Sequence, residues 1–261
     1  MQLYDAIGHG YVERRRQDPR IAEPIVRALG RCESVVNVGA GAGSYEPRDR
    51  KVVAVEPSRV MIRQRPPEAS PAVRATAMDL PFRDGSFDAS LAILTLHHWP
   101  DPARGLAELR RVARSTVVIL TFDTTVGGFW LTDYFPGILE IDRRTMPALS
   151  EIERRLGAVQ VFDVPIPHDC TDGLLGAHWQ RPEAYLDAGV RSATSVFSRI
   201  GDLAPGLDRL RDDLDSGAWR RRYGGLLDRA ELDLGYRLVV ASAESAAGRG
   251  AGPGRRTRPR S

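Results

Sequence analysis

The chain has only two cysteines in 261 residues, Cys32 and Cys170. They show no metal-ligand spacing and are too few for a disulfide framework, so they read as reduced thiols and no metal site is inferred. Long apolar runs are also missing. The longest, residues 90–96 and 116–122, fall well short of the roughly 20 residues a bilayer-spanning helix needs. No basic region followed by an apolar stretch opens the sequence, so a secretory leader is not expected and the cytoplasm is the expected compartment. No repeat of fixed period appears, which sets aside solenoids and propellers. Lysine is almost absent: Lys51 is the sole lysine among 37 basic residues, the bias of a GC-rich genome rather than a device for gripping phosphate.

What is present suits a globular protein with a substantial core: 42% hydrophobic, 27% charged and 7% aromatic residues. Residues 2–29 alternate basic and apolar positions. Within them Asp18-Pro19, followed by Ile21, Ile25, Val26 and Leu29, reads as a helix start with a core-facing stripe. From residue 34 the pattern changes to short apolar runs at 34–38, 52–55, 87–94 and 116–121. Runs of Val, Ile and Leu that do not alternate with polar residues indicate strands buried on both faces, as in a parallel sheet covered by helices. The segments between them fit crossovers. Residues 61–65 predict a short helix, and 101–114 a longer one with Leu106, Leu109 and Val112 on its inner face. A further strand pair is expected at 158–165 and 236–241, with a helical, Trp-containing insertion before the last strand. The ordering is that of a doubly wound α/β domain.

The most informative stretch is Val35-Val36-Asn37-Val38-Gly39-Ala40-Gly41-Ala42-Gly43-Ser44-Tyr45, an apolar strand running into a glycine turn. Glycines let the backbone turn sharply and approach a ligand with no Cβ in the way. At the end of a first parallel strand such a loop lies at the mouth of a cofactor crevice. A second apolar strand ends in Glu56, seventeen residues beyond Gly39, where an acid can accept both hydroxyls of a ribose. The dinucleotide fingerprint ends in Gly or Ala, whereas this loop has Ser44 at that position and follows a GxGxG spacing.

With that spacing the loop resembles motif I of the class I S-adenosylmethionine-dependent methyltransferases, of the small-molecule, methyltransferase type 11 kind. Val55-Glu56-Pro57-Ser58 resembles their motif II. The likeness continues through Ala77-Met78-Asp79-Leu80-Pro81-Phe82, Asp84-Gly85-Ser86-Phe87-Asp88, Leu94-Thr95-Leu96-His97-His98-Trp99 and Leu106-Ala107-Glu108-Leu109, and covers about residues 34–123. It implies a Rossmann-like, doubly wound, mostly parallel seven-stranded sheet with a helical N-terminal lead-in and an inserted lid. The divisions expected are a cap at 1–33, a cofactor-binding core at 34–167, a lid at 168–233, the last strand at 234–247 and a disordered basic tail at 248–261. The cofactor implied is S-adenosyl-L-methionine, with S-adenosyl-L-homocysteine as product.

Carried over by position, the resemblance sets Gly39, Ala40 and Gly41 against the methionine portion, Glu56 on the ribose, Met78 and Asp79 at the adenine and Thr95 beside the sulfonium. Pro57 and Met61 join the same lining. Where such families usually carry Asp or Glu, this chain has Asn37, which accepts a hydrogen bond but brings no charge toward the cofactor's ammonium. Either affinity is lower or another acid supplies that charge. In the lead-in, Tyr4-Asp5, Tyr11 and Arg14-Arg15-Arg16 resemble the helix that closes over the cofactor in small-molecule members. Tyr11 and Arg15 are its candidate contacts, Arg15 through a bidentate bond to the methionine carboxylate. A solvated basic helix face accounts for the same residues.

Methyl transfer mainly requires positioning and, for some acceptors, removal of a proton. The candidate bases are His98, with His97 beside it, and His168; His98 sits where phosphobase methyltransferases place a catalytic His that works with an N-terminal Tyr, here Tyr4 or Tyr11. Packing or a structural hydrogen bond is the alternative role for each His. Phe129, Trp130, Tyr134 and Phe135 follow the fifth strand where this fold opens toward the acceptor, and as a group they suggest an aromatic wall for an organic small molecule. Three other functions stay in view: an NAD-dependent oxidoreductase, a cofactor-binding protein without catalysis, and nucleic-acid methylation, suggested by a pI near 9.1. Against the last, no Asn-Pro-Pro-Tyr-type motif follows the fourth strand. Moreover, the five arginines of residues 248–261 account for the basic balance, and removing them from the net +3 leaves residues 1–247 at −2. The expected partner is therefore a small-molecule acceptor, not nucleic acid or membrane, with monomer and homodimer both open.

Overall fold

A computed structural model describes residues 15–242, so Tyr4, Tyr11, Arg14 and the basic tail lie outside the described residues. The first helix, α1 (Pro19–Leu29), begins where the Asp18 carboxylate accepts the Arg20 backbone N–H at 3.0 Å and Pro19 takes a position whose N–H has no helical partner to lose. Ile21, Ile25 and Leu29 form its buried stripe.

Seven strands make one sheet: β1 (Ser34–Val38), β2 (Lys51–Val55), β3 (Ala72–Val73), β4 (Phe87–Ile93), β5 (Ala113–Phe122), β6 (Val159–Asp163) and β9 (Tyr236–Ser242), in the order β3-β2-β1-β4-β5-β9-β6. The first five run parallel, and β9 lies antiparallel between β5 and β6. Both strands of the expected late pair are thus present and adjacent. The chain reverses its winding between β1 and β4, and ligands of open α/β sheets bind outside the strand ends at such a switch point.

The unbroken apolar runs are explained by two cores. Successive residues of a strand face opposite sides, so Val118, Leu120, Leu238 and Val240 pack with the stripe of α1. Their neighbours Val117, Ile119, Val239 and Ala241 pack with Leu106, Leu109 and Val112 of α3 (Pro102–Val112) and with Ile152 and Leu156 of α6 (Leu149–Leu156). A short helix, α2 (Arg59–Arg63), follows β2. Among the described residues no helix is long and apolar enough to cross a membrane.

A third core lies over the sheet's switch-point side. It joins α4 (Trp130–Tyr134) and α5 (Gly137–Thr145) to Tyr185, Phe197, Leu210 of α8 (Ala204–Asp215) and Trp219 of α9 (Ala218–Tyr223). Trp130 stands edge-on to Tyr134, Tyr185 and Trp219 at 6.0, 5.6 and 5.4 Å between ring centres. Each such pair contributes about 0.5–1.5 kcal/mol beyond its buried area. The packing divides the insertion differently from the sequence boundary at 168–233. Helices α4 and α5 join the helical layer, whereas Cys170, Leu174 and Trp179 pack with α1. A two-strand pairing of β7 (Ile166–Pro167) with β8 (Glu231–Leu232) closes the insertion at its root.

One polar network ties the lead-in, the glycine loop and that root together. Asp172 is fully buried and accepts from Arg15 Nε at 2.7 Å and Nη2 at 3.2 Å, and from the Tyr45 hydroxyl at 2.8 Å. Asp18 accepts from Thr171 N at 3.0 Å, and Arg20 bridges Asp18 to Asp169. Burial together with the Asp172 charge holds the Tyr45 phenol far above its ordinary value, so it remains a donor. Removing one partner of a buried pair strands the other charge. Asp172→Ala is expected to lower stability by about 3 kcal/mol or more, read as a fall in the urea midpoint at unchanged slope. An unchanged midpoint would show that the network contributes little.

Candidate cofactor and acceptor site

The glycine loop leaves β1 on two bonds to the end of β2: Gly39 N and Ala40 N both donate to Val55 O, at 2.8 and 3.0 Å. Gly39, Gly41 and Gly43 have φ of +72°, +53° and +99°, where side-chain-bearing residues are strained. A Cβ at Gly39 would also overlap the Thr95 side chain, and one at Gly41 would meet Met61 Cε at 3.3 Å. The loop is therefore pressed between the end of β4 and α2.

Glu56, at the end of β2, is nearly buried. Its carboxylate accepts from Gly41 N and from Ser58 N, both at 2.8 Å. One acid thus fixes the glycine turn and the start of α2, where the Ser58 hydroxyl accepts the Met61 N–H at 3.3 Å.

Between these parts lies a cavity of about 350 Å³. Its lining brings together Arg15, Asn37, Gly39, Ala40, Gly41, Glu56, Pro57, Met61, Met78, Thr95 and His98 of the residues read from the sequence. Two others are not brought in. Asp79 is exposed, and Thr76 and Ala77 line the wall beside Met78 instead, because the 76–79 segment turns back on itself through an Asp79 N to Thr76 O bond. His168 is exposed at the root of the insertion, its N–H donating to Ala230 O at 2.9 Å, outside the cavity. Tyr11 lies outside the described residues. The aromatic group after β5 does not wall the cavity either: Trp130, Tyr134 and Phe135 are core of the helical layer.

The charge question raised by Asn37 has a structural answer. Asn37 Nδ2 donates to Glu46 Oε1 at 3.2 Å, so an acid does stand behind it. Glu46, however, is buried against Arg65, whose Nη2 lies 2.8 Å from both carboxylate oxygens. What the lining offers is Asn37 Oδ1, buried with no hydrogen-bond partner among the described residues. A buried acceptor of this kind is costly unless a donor arrives. An orphan carbonyl oxygen, a glycine cradle closed to any Cβ and a backbone-braced carboxylate fit a ligand carrying an ammonium and a ribose.

His97 and His98 follow Thr95 in a single helical turn, with ring centres 3.8 Å apart. Burial, with the Arg199 charge adding to it, pushes His98 down to about 4, and burial pushes His97 well below its ordinary value. Both imidazoles are neutral at pH 7, and a group held near 4 takes up a proton reluctantly, which suits orientation better than proton abstraction.

A smaller chamber, about 70 Å³, adjoins the first and shares Arg15, Leu94, His97 and Arg199 with it. Phe122, Ile141, Leu174 and Tyr236 make its walls largely apolar, and α5 contributes Asp142. Burial raises this carboxyl to about 6, opposed only by Arg199. Sequence reasoning missed both Asp142 and Arg199, since neither sits in a recurring motif.

An α/β sheet with a glycine cradle and a ribose-type acid at its switch point defines a nucleotide-cofactor protein. A family model described as "Methyltransferase domain" matches residues 36–121. A solved structure from Anabaena variabilis, assigned as a methyltransferase from an antibiotic biosynthesis pathway, is 33% identical with a TM-score of 0.80, covering 87% of this chain and 98% of that one. An uncharacterized methyltransferase of Mycobacterium sp. (strain KMS) is 34% identical over 129 residues, 43% of this chain and 49% of its own length. The chain thus spans about half the length of such curated relatives. Demethylmenaquinone methyltransferase of Corynebacterium kroppenstedtii is 26% identical over 170 residues, 58% of this chain and 70% of that protein. The chain belongs to the class I S-adenosylmethionine-dependent methyltransferases, and the dinucleotide oxidoreductase alternative falls away.

The raised carboxyl of Asp142 has a stability consequence. Its ordinary value is 3.8, so the charged form is disfavoured in the fold, and the penalty is present above pH 6 and vanishes below about 4. Asp142→Asn is expected to stabilise the protein by about 3 kcal/mol at pH 8 and not at pH 4. Thermal melts at both pH values check this: equal melting temperatures for the two proteins at pH 8 would contradict it.

Proposed function

We propose that the protein transfers the methyl group of S-adenosyl-L-methionine to a carbon, nitrogen or oxygen atom of a small organic metabolite, leaving S-adenosyl-L-homocysteine. The observation that carries this reading is Glu56, an acid fixed by the Gly41 and Ser58 N–H groups at the cavity wall, where a carboxylate can accept from two ribose hydroxyls. Asn37 Oδ1 accepts from the cofactor's ammonium, and Arg15, held by Asp172, faces its carboxylate. Gly39, Ala40 and Gly41 lie along the methionine portion, Met78 packs the adenine, Pro57 and Met61 complete that lining, and Thr95 borders the sulfonium. Asp79 takes no part in this assignment. When bound, the cofactor supplies a methyl group already activated by its sulfonium.

The chain's own work is then positioning and exclusion of water. The second chamber opens beside Leu94 and His97, and neutral His97, at the boundary of both cavities, can orient an acceptor there, while neutral His98 lines the larger one. The Anabaena relative, assigned to an antibiotic pathway, supports specialised biosynthesis, and the demethylmenaquinone methyltransferase supports a small-molecule acceptor. A body charged at −2 without its tail gives no electrostatic case for nucleic acid.

Isothermal titration with S-adenosyl-L-homocysteine tests the reading. Wild-type protein is expected to bind it and to give no heat with NADH. Glu56→Ala should weaken binding by roughly 30- to 100-fold, the loss of a buried charged acceptor worth about 2–3 kcal/mol. Unchanged affinity in that variant would remove Glu56 from the ribose. Isotope-labelled methyl transfer into small molecules of a host extract would identify the acceptor.

A further inference from the structure

The Asp142 carboxylate is buried, stands in a largely apolar wall and makes no hydrogen bond or ion pair with a described residue. It is the only carboxylate among the described residues lining that chamber. Its oxygens are reachable from the chamber, and a protein keeps an acid in an apolar wall without a protein partner at a cost to its stability where the acid serves a ligand. The charged and titratable groups facing it can be named. Arg199 lies in the 3-10 turn Phe197–Arg199, and His97 is neutral. Arg15 is already paired with Asp172, and the Tyr236 hydroxyl is committed to Leu175 O at 2.8 Å. One negative and one positive group thus border the same small volume. A cationic acceptor would have to sit beside Arg199, while a neutral one adds no net charge. A neutral hydroxyl can give its hydrogen to Asp142 and leave the oxygen's lone pairs toward the guanidinium.

Resting on the methyltransferase reading above, we propose that this chamber is the acceptor site and that Asp142 selects a neutral, hydroxyl-bearing apolar molecule by accepting its O–H hydrogen. Asp142 is then a specificity-determining residue and His98 is not required as the hydroxyl's partner. The elevated carboxyl sets the range over which this contact operates: it is a carboxylate above about pH 6 and protonated below.

The test uses three matched probes with the full chain saturated with S-adenosyl-L-homocysteine: p-cresol, its hydroxyl-free isostere p-xylene, and cationic 4-methylbenzylamine. Affinities are read by ligand-observed NMR. Wild-type protein is expected to bind p-cresol about tenfold or more tightly than p-xylene, with the amine weakest. That preference should fall to within about twofold in Asp142→Leu. Should the Leu variant not fold, Asp142→Asn keeps the shape. In wild type, p-cresol should weaken about fivefold between pH 8 and pH 5, and in Asp142→Asn the profile should be flat. Equal affinity for p-cresol and p-xylene, preference for the amine, a hydroxyl preference that survives in Asp142→Leu, the same pH profile in both proteins, or no binding of any probe would each overturn the proposal. Binding of S-adenosyl-L-homocysteine is measured in the same samples, so a failure of the cofactor reading shows separately as its absence.

Discussion

The site depends on one close approach. Gly39 passes against Thr95 at a distance that leaves no room for a Cβ, and this contact brings the loop after β1 onto the end of β4. Glu56 completes the closure by holding Gly41 and Ser58 at once, so the chain leaving β1 and the chain leaving β2 meet on one carboxylate. The cavity is the space left between them. Its shape is set by the backbone bonds of Gly39 and Ala40 to Val55 O, by the Glu56 carboxylate fixed on two N–H groups, and by the absence of a side chain at Gly39, the kind of preorganisation that binding requires.

Around that frame the charges are paired before any ligand arrives. Glu46 is matched by Arg65 behind Asn37, and Asp172 by Arg15 at the mouth. A bare Glu46 in this position would attract an ammonium strongly at a heavy desolvation cost. The paired arrangement leaves a neutral carbonyl oxygen, Asn37 Oδ1, in place of a charge on that wall of the cavity. The departure from an acid at position 37 therefore reads as a redistribution of charge rather than its loss. Arg199, like Arg15, stands between the two cavities.

How much of this was legible in the sequence follows from where each part is encoded. The larger cavity is made largely of residues at the ends of β1, β2 and β4, and each lies within a few positions of an apolar run that announces its strand. Local pattern therefore marks Gly39 and Glu56, and the family resemblance marks Thr95. The smaller chamber is assembled from α5, a turn near residue 199, β5 and β9, which meet only through tertiary packing, and no short-range signal marks Asp142 or Arg199. The aromatic cluster after β5 was visible as a composition shift, but aromatic residues are as useful for filling a helical layer as for walling a cavity. Trp130 and Phe135 went to the layer. Asp79 and His168 had suitable chemistry and neighbours, yet a tight turn and the root of an insertion turned them to solvent.

Leu94 links the two sides. It is a non-glycine residue at φ +49°, a conformation that costs about 1–3 kcal/mol and persists only when its surroundings impose it. Here the imposition is visible: Leu94 N donates to Leu120 O at 2.8 Å, which keeps it in register with β5 while the chain turns. That turn delivers Thr95 against Gly39 and carries His97 into the partition between the chambers. An extended Leu94 would carry β4 onward and move Thr95 off the glycine loop. The strain at Leu94 is thus the local cost of turning the chain where the two cavities meet. Leu94 itself lines both, so one strained residue sets part of their common boundary.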